Sequence, residues 1–274
     1  MEKIVLVGAG GKMGGRITAN LKGSDYEITY LEVSPAGIEK LAAQDISVSR
    51  AEEVLPYADI VILAVPDIYI KKVASDVVPL LKPGAMAVCL DPAAPLAGSL
   101  PEREDVSYFA AHPAHPSIFN YEATPADHFD YFGGITAKQA IVCALIQGPE
   151  ADYERGETLA KKMYAPVFRS HRITIEQMGL LEPALSETFT ACCLAIMKEG
   201  LDEVIKKGVP KDAARDFFLG HMNILAAVLF EEIQGVFSDA CNKAIEIGKP
   251  MIFKDDWKKV FDPECVKAQI KAIT

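Results

Sequence analysis

His112-Pro113-Ala114-His115-Pro116 puts two of the chain's five histidines in one short segment, with a proline after each ring. Imidazole changes charge near neutral pH and ligates metals, and proline restricts the backbone carrying it. The segment therefore suits a ligand or an acid–base group held at fixed distance. Two turn histidines bonded to nearby carbonyls are the plainer alternative. One imidazole alone holds a metal weakly, so a metal here requires a carboxylate from elsewhere in the chain. Glu182, beside Pro183, shares a helical face with Ser186 at i, i+4; it serves equally as a charge favoured by the dipole at a helix start. Glu187 points elsewhere, towards solvent. Later, His221 and Asn223, then Asp239, Asn242 and Lys243, interrupt apolar segments, where polar groups either satisfy one another or line a pocket.

A second chemistry sits near the N-terminus. Gly8-Ala9-Gly10-Gly11-Lys12-Met13-Gly14 follows the apolar run Ile4 to Val7 directly and opens a helical stretch, Lys12 to Leu21, that ends before Gly23. Glycines let such a turn take positive φ and let the backbone approach a pyrophosphate, whose charge then meets the free N–H groups at the helix start. The spacing reads GxxGxxG or GxGxxxG and departs from the strict dinucleotide fingerprint, but its strand-to-helix context supports one. Gly8, Gly10, Gly11, Lys12 and Met13 are the expected cofactor contacts, against a merely tight turn. Glu32 ends the second strand, where a carboxylate accepts both adenosine ribose hydroxyls and repels a 2′-phosphate; no arginine follows within Val33 to Gly37, so NAD is favoured over NADP. The alternative is a solvated strand-end glutamate. Asp67, in Val65-Pro66-Asp67, falls at the crevice edge where nicotinamide and its ribose would lie, or else caps a helix starting at Ile68.

These residues must be positioned by a sheet. From Met1 to about Arg172 short β-branched runs alternate with helical stretches, the pattern of a Rossmann-type, doubly wound parallel sheet with helices on both faces. Its strands are expected at Ile4 to Val7, Glu27 to Val33, Ile46 to Val48, Ile60 to Val65, Met86 to Leu90, Val106 to Ala110, Gln139 to Ile146 and Pro166 to His171. Ile60 to Val65 is apolar without alternation, as a strand covered on both faces requires. The division falls into residues 1–172, a dinucleotide domain, and 173–274, an all-helical domain for substrate and dimerisation. Thr174-Ile175-Glu176-Gln177 matches a capping box, Pro183 marks a kink or restart and Gly208 a stop; further helices fit Lys211 to Phe218, His221 to Gln234 and Val236 to Ile247. Apolar residues dominate these helices, so part of their surface is expected to bury against a second copy.

Composition narrows the function class. The 274 residues are 50% hydrophobic and 24% charged, which excludes disorder and small disulfide scaffolds. A formal net charge of -10, with no basic cluster, argues against nucleic acid. No stretch approaches the roughly 20 apolar residues of a membrane helix, Ile224 to Phe230 being of core length, and no export signal precedes the first strand. The six cysteines lack CxxC spacing and most sit in apolar runs, which fits the reducing cytoplasm.

End to end, the chain resembles the D-apionate oxidoisomerases, NAD-dependent proteins once labelled phosphogluconate dehydrogenase-like. The resemblance rests on GAGGKMG at Gly8 to Gly14, LEVSPAG at Leu31 to Gly37, VILAVPD at Val61 to Asp67, HPAHPSIFN at His112 to Asn120 and FGGITAKQ at Phe132 to Gln139. It continues through EQMGLLEPALSET at Glu176 to Thr188, GHMNI at Gly220 to Ile224 and FSDACNKAIEIGKP at Phe237 to Pro250. The first and third motifs are common to many dehydrogenases; the others are specific.

The resemblance implies NAD-dependent oxidation of a branched sugar acid coupled to rearrangement of its skeleton, giving 3-oxo-isoapionate. Loss of hydride beside the carboxylate leaves a ketone next to a tertiary alcohol, and deprotonating that alcohol lets a group migrate, a step that calls for a Lewis acid. A divalent metal, zinc first, is therefore expected on His112 and Glu182, with His115 as the base and His221 second. Lys138 or Lys243 is expected to pair with the substrate carboxylate, unless each is a solvated surface charge. Ordinary β-hydroxyacid dehydrogenases carry a catalytic lysine where this chain reads Glu176 to Ser186 without one. Decarboxylation of 6-phosphogluconate is thereby disfavoured. Two other readings remain: a metal-free dehydrogenase of a small hydroxy acid or a prephenate dehydrogenase-like enzyme, and an NAD-binding sensor without turnover.

Overall fold

The computed structural model describes residues 1–274, which divide into two compact units, Met1–Glu182 with Lys267–Thr274, and Pro183–Val266. In the first unit seven strands form one sheet: β1 (Lys3–Val7), β2 (Glu27–Leu31), β3 (Ile60–Leu63), β4 (Met86–Cys89), β5 (Ser107–Pro113), β6 (Gln139–Gln147) and β7 (Val167–Arg172), in the order β2-β1-β3-β4-β5-β6-β7. The apolar run of β3 divides residue by residue. Ile60 and Ile62 join the core on one face with Ile4, Leu6 and Phe109, while Val61 and Leu63 join the other with Val5, Val7 and Tyr108. Each fully buried side chain of this kind contributes roughly 1.5–3 kcal/mol by leaving water. Helices α1 (Lys12–Leu21), α2 (Pro35–Ala42), α3 (Asp67–Val77) and α4 (Ala151–Met163) connect the strands, and α5 (Ile175–Gly179) follows β7.

Three sequence expectations for this unit are corrected. The sheet is not wholly parallel: β6 runs antiparallel to β5, pairing His112 with Val142, because the connection, whose one helix is the four-residue Pro125–His128, turns the chain back at the carboxyl end of β5. Ile46 to Val48 forms no strand, only a single bridge from Val48 to Tyr30 beside the edge strand β2. The first unit extends past Arg172 through α5. That helix begins with the capping box, in which Thr174 Oγ1 accepts from Gln177 N–H and Gln177 Oε1 accepts from Thr174 N–H, and it sends Met178 into the sheet's core.

The second unit is helical: α6 (Leu180–Ala191, beginning at the end of the first unit), α7 (Cys192–Lys206), α8 (Lys211–Leu229), α9 (Asp239–Ile252) and the start of α10 (Pro263–Ile273). Pro183 does not restart the helix; α6 is wound in wide π-type turns that accommodate it. The expected break between Phe218 and His221 is absent, since Gly220 lies within α8, whereas Gly208 ends its helix at φ +100°. The expectation of no membrane-length apolar stretch is also corrected. With Pro183 absorbed, Ile175–Lys206 is one helical run with a window of mean hydropathy 1.3, the length and composition of a span. Many apolar residues of this unit are left uncovered: α7 and α9 bury none, and the 19-residue α8 buries only Ala214.

Candidate active site

The glycine turn leaves β1 through Gly8, at φ +80°, where a Cβ would stand 2.5 Å from the Ala64 carbonyl oxygen. A Cβ on Gly10 would stand 2.3 Å from Gly37 Cα, so the turn and the start of α2 approach as only glycines allow. Glu32 locks this approach: its Oε2 accepts from Gly10 N–H at 2.9 Å, and its Oε1 from Val33 and Ser34 N–H at 2.9 and 2.8 Å. Burial pushes the Glu32 carboxyl up, but these donors outweigh it and hold the group below its usual value as an anion. Gly8, Glu32, Val33 and Arg50 line a cavity of about 460 Å³ at the carboxyl end of β1 and β2, of a size and place for an adenosine.

Val65 lines this cavity and a second one of about 470 Å³, which holds Gly11, Lys12, Met13, Asp67, Asp91, His112, His115, Phe132, Tyr164 and Glu182. The end of β5 is held in place from behind. Tyr164 Oη donates to the Ala111 carbonyl at 2.9 Å, and Gln139 Nε2 donates to the Tyr164 carbonyl at 2.8 Å. His112 Nδ1 lies 2.7 Å from the Leu90 carbonyl oxygen. A carbonyl only accepts, so Nδ1 carries the proton and Nε2 is bare in the neutral ring. That nitrogen stands 3.4 Å from Glu182 Oε2. Two acceptors at this distance need a proton or a cation between them.

His115 has the same tautomer, its Nδ1 donating to the Phe132 carbonyl at 2.8 Å, and its backbone sits at φ +60°. Its ring meets His112 edge-on at 6.2 Å between centroids and Phe132 at 4.7 Å. The plainer reading of turn histidines bonded to carbonyls is thus half met: each ring spends Nδ1 on a carbonyl and keeps Nε2. The surroundings are acidic. Burial, then the Asp91 charge, pushes the Asp67 carboxyl up to about 6, and burial pushes Asp91 up as well. Asp67 is the first residue of α3, with Pro66 as the cap, so its carboxylate is not the cap considered from the sequence.

Not every candidate gathers here. Lys138 is exposed at the start of β6 and is absent from the cavity lining; its backbone is what matters, with its N–H donating to Glu122 Oε1 at 3.0 Å and its carbonyl accepting from Asn120 Nδ2 at 2.8 Å. In the helical unit, His221 is exposed, bonded through Nδ1 to the Phe217 carbonyl at 2.8 Å and stacked on the Phe217 ring. Lys243 is exposed and paired with Glu246 at 2.8 Å. Sequence reasoning missed Asp91, Phe132, Tyr164 and Arg50. Asp91 follows a strand at its carboxyl end, as Asp67 does, and the same logic finds it; Phe132 acts through a carbonyl and a ring face, which no spacing marks.

Residues 3–93 match the NAD binding domain of 6-phosphogluconate dehydrogenase, and residues 120–274 match the C-terminal domain of phosphogluconate dehydrogenase (decarboxylating). A D-apionate oxidoisomerase of Cupriavidus necator is 55% identical over 274 residues, covering 100% of this chain and 99% of that protein. One of Rhizobium rhizogenes is 55% identical over 275 residues, covering 100% of both. The crystal structure of a semialdehyde dehydrogenase NAD-binding protein from Cupriavidus necator, in complex with calcium and NAD, superposes with a TM-score of 0.98 at 55% identity over 100% of both chains.

Proposed function

This chain belongs to the D-apionate oxidoisomerase family, among proteins with phosphogluconate dehydrogenase-type domains, and from that premise we propose that it oxidises D-apionate with NAD and rearranges the product to 3-oxo-isoapionate in sugar-acid breakdown. It is an NAD-dependent oxidoreductase. The observation that carries the proposal is His112 Nε2 facing the Glu182 carboxylate at 3.4 Å in the cavity that adjoins the glycine turn.

The residues fit the dinucleotide. The Gly10–Gly37 approach leaves no room for a side chain, the loop N–H groups lie at the start of α1, and anionic Glu32 suits a ribose diol and rejects a 2′-phosphate. NAD, when bound, supplies the hydride acceptor. His115 Nε2 is the base: the Phe132 carbonyl fixes its tautomer, so the lone pair is available to take the proton of the hydroxyl beside the carboxylate. The resulting ketone neighbours a tertiary alcohol. As that alcohol loses its proton, its oxygen becomes the new ketone, a carbon group shifts to the neighbouring carbon, and the former ketone oxygen takes up a proton.

The donor set also fits a divalent ion held by His112 and Glu182. Two ligands of a tetrahedral zinc at about 2.1 Å stand roughly 3.4 Å apart, and a six-coordinate ion at about 2.4 Å gives a similar span. The Nε2 to Oε2 separation is 3.4 Å. One imidazole with one carboxylate suits zinc, our first choice. A divalent ion held there would supply Lewis acidity to the rearrangement.

Two further features belong to the proposal. The uncovered apolar helices of residues 183–266 support a homodimer formed through them, with Leu194, Phe217 and Leu229 among the residues covered by the second copy. Six free thiols are in keeping with the cytoplasm. The proposal is tested by following NADH formation and rearrangement in chelator-treated protein before and after a divalent metal is restored. Loss and recovery of the rearrangement support it; unimpaired rearrangement without metal defeats the metal role.

A further inference from the structure

We infer that Lys12, steadied on the face of Phe132, is the cation that pairs with the substrate's carboxylate and sets the enzyme's preference for 2-hydroxy acids; the inference rests on the sugar-acid reading above. The cavity holding His112 and His115 is lined by three carboxylates, Asp67, Asp91 and Glu182, and by one side chain with a permanent positive charge, Lys12. An anionic substrate entering so acidic a cavity needs that charge.

The placement is specific. Lys12 Nζ lies 4.2 Å from the centroid of the Phe132 ring, and the ammonium makes no hydrogen bond or ion pair within the chain, so its three donors are free for a ligand. Arg16 also lies over this ring, at 3.9 Å, but it is spent on the Gly133 carbonyl at 2.6 Å and does not line the cavity. Phe132 in turn packs its ring on His115 and accepts the His115 Nδ1 proton on its carbonyl. One residue therefore spaces the cation from the base. With both Lys12 and His115 packed on the Phe132 ring, at 4.2 and 4.7 Å from its centroid, a carboxylate held at Lys12 leaves the hydroxyl on the adjacent carbon within the span to the His115 ring. The main-chain N–H groups of the same loop remain for the dinucleotide, so the loop serves both ligands, backbone for one and side chain for the other.

The test uses the full-length protein with metal and NAD, comparing wild type with Lys12→Met and Lys12→Arg. Calorimetric binding of glycolate, the smallest 2-hydroxy acid, is measured beside NAD affinity and the KM for D-apionate. Lys12→Met is expected to weaken glycolate binding and raise the KM about 10- to 100-fold, with NAD affinity within about twofold, and Lys12→Arg to recover most of the loss. Weakened NAD binding with unchanged glycolate binding would make Lys12 a pyrophosphate contact and overturn the inference, as would no glycolate binding to wild type. Absence of D-apionate turnover in wild type that still binds glycolate through Lys12 strikes the substrate reading alone.

Discussion

Nε2 of His112 and Oε2 of Glu182 face each other at 3.4 Å, with Nδ1 of the same imidazole already committed to the Leu90 carbonyl. The nitrogen comes from the end of β5 and the oxygen from α6. His112→Asn and Glu182→Gln should each lower bound divalent metal below one equivalent and cut rearrangement by at least about 100-fold, given that even indirect supporters of metal ligands are worth 10–100-fold. Metal analysis beside product formation checks this. Full metal content in both variants contradicts it.

His115→Asn should lower kcat about 10²- to 10⁴-fold while NAD affinity stays unchanged, because a positioned base contributes that much to proton transfer. Asparagine is the informative replacement, since it tolerates the positive φ of this position. A loss confined to KM would assign His115 to binding alone.

Asp67 adds a pH signature to the metal- and cofactor-free protein. Burial first, and then the charge of Asp91, raises its folded-state value from 3.8 to about 6. Its stabilising share is therefore complete below the unfolded value and is lost as pH rises through about 6. Asp67→Asn removes the ionised form, so it should raise Tm near pH 8 by about 2–4 °C and leave it unchanged near pH 4. The corresponding free energy is about 1 kcal/mol, reduced because the group is only partly buried. An equal shift at both pH values contradicts this assignment.

Gly10→Ala tests the cofactor turn. Its Cβ would meet Gly37 Cα at 2.3 Å and force the loop off α2, breaking the Gly10 N–H bond to Glu32. Overpacking of this kind costs about 1–3 kcal/mol, so Tm should fall and NAD affinity drop at least tenfold in a fluorescence titration. Unaltered NAD binding would place the dinucleotide elsewhere.

Sedimentation should give a dimer for the wild-type chain. Phe217→Glu, on the exposed apolar face of α8, should shift it to monomer and lower Tm. A wild-type monomer would leave these helices without the cover we assign.

Much of this was legible in the residues, and the failures have physical causes. Within the run Ile60 to Val65, Ile60 to Leu63 form the strand and are buried on two faces, as the lack of alternation requires, and the capping box at Thr174 forms as written. The direction of β6 was not legible, since an apolar strand carries no sign of its sense. Gly220 misled because one glycine costs a helix only about 1 kcal/mol, which the surrounding turns of α8 outweigh. The approach of His112 and Glu182 is legible in what a lone imidazole lacks, a carboxylate partner from elsewhere in the chain. The charge of Lys138 is conspicuous in the sequence, whereas it is the backbone of this residue that bonds Glu122 and Asn120.

The most direct measurement is a complete reaction of D-apionate with NAD in metal-loaded protein, with NADH counted and the product's carbon skeleton read by NMR. One NADH per substrate with the rearranged skeleton of 3-oxo-isoapionate is the expected result. NADH with an unrearranged keto acid, or no NADH at all, would contradict it.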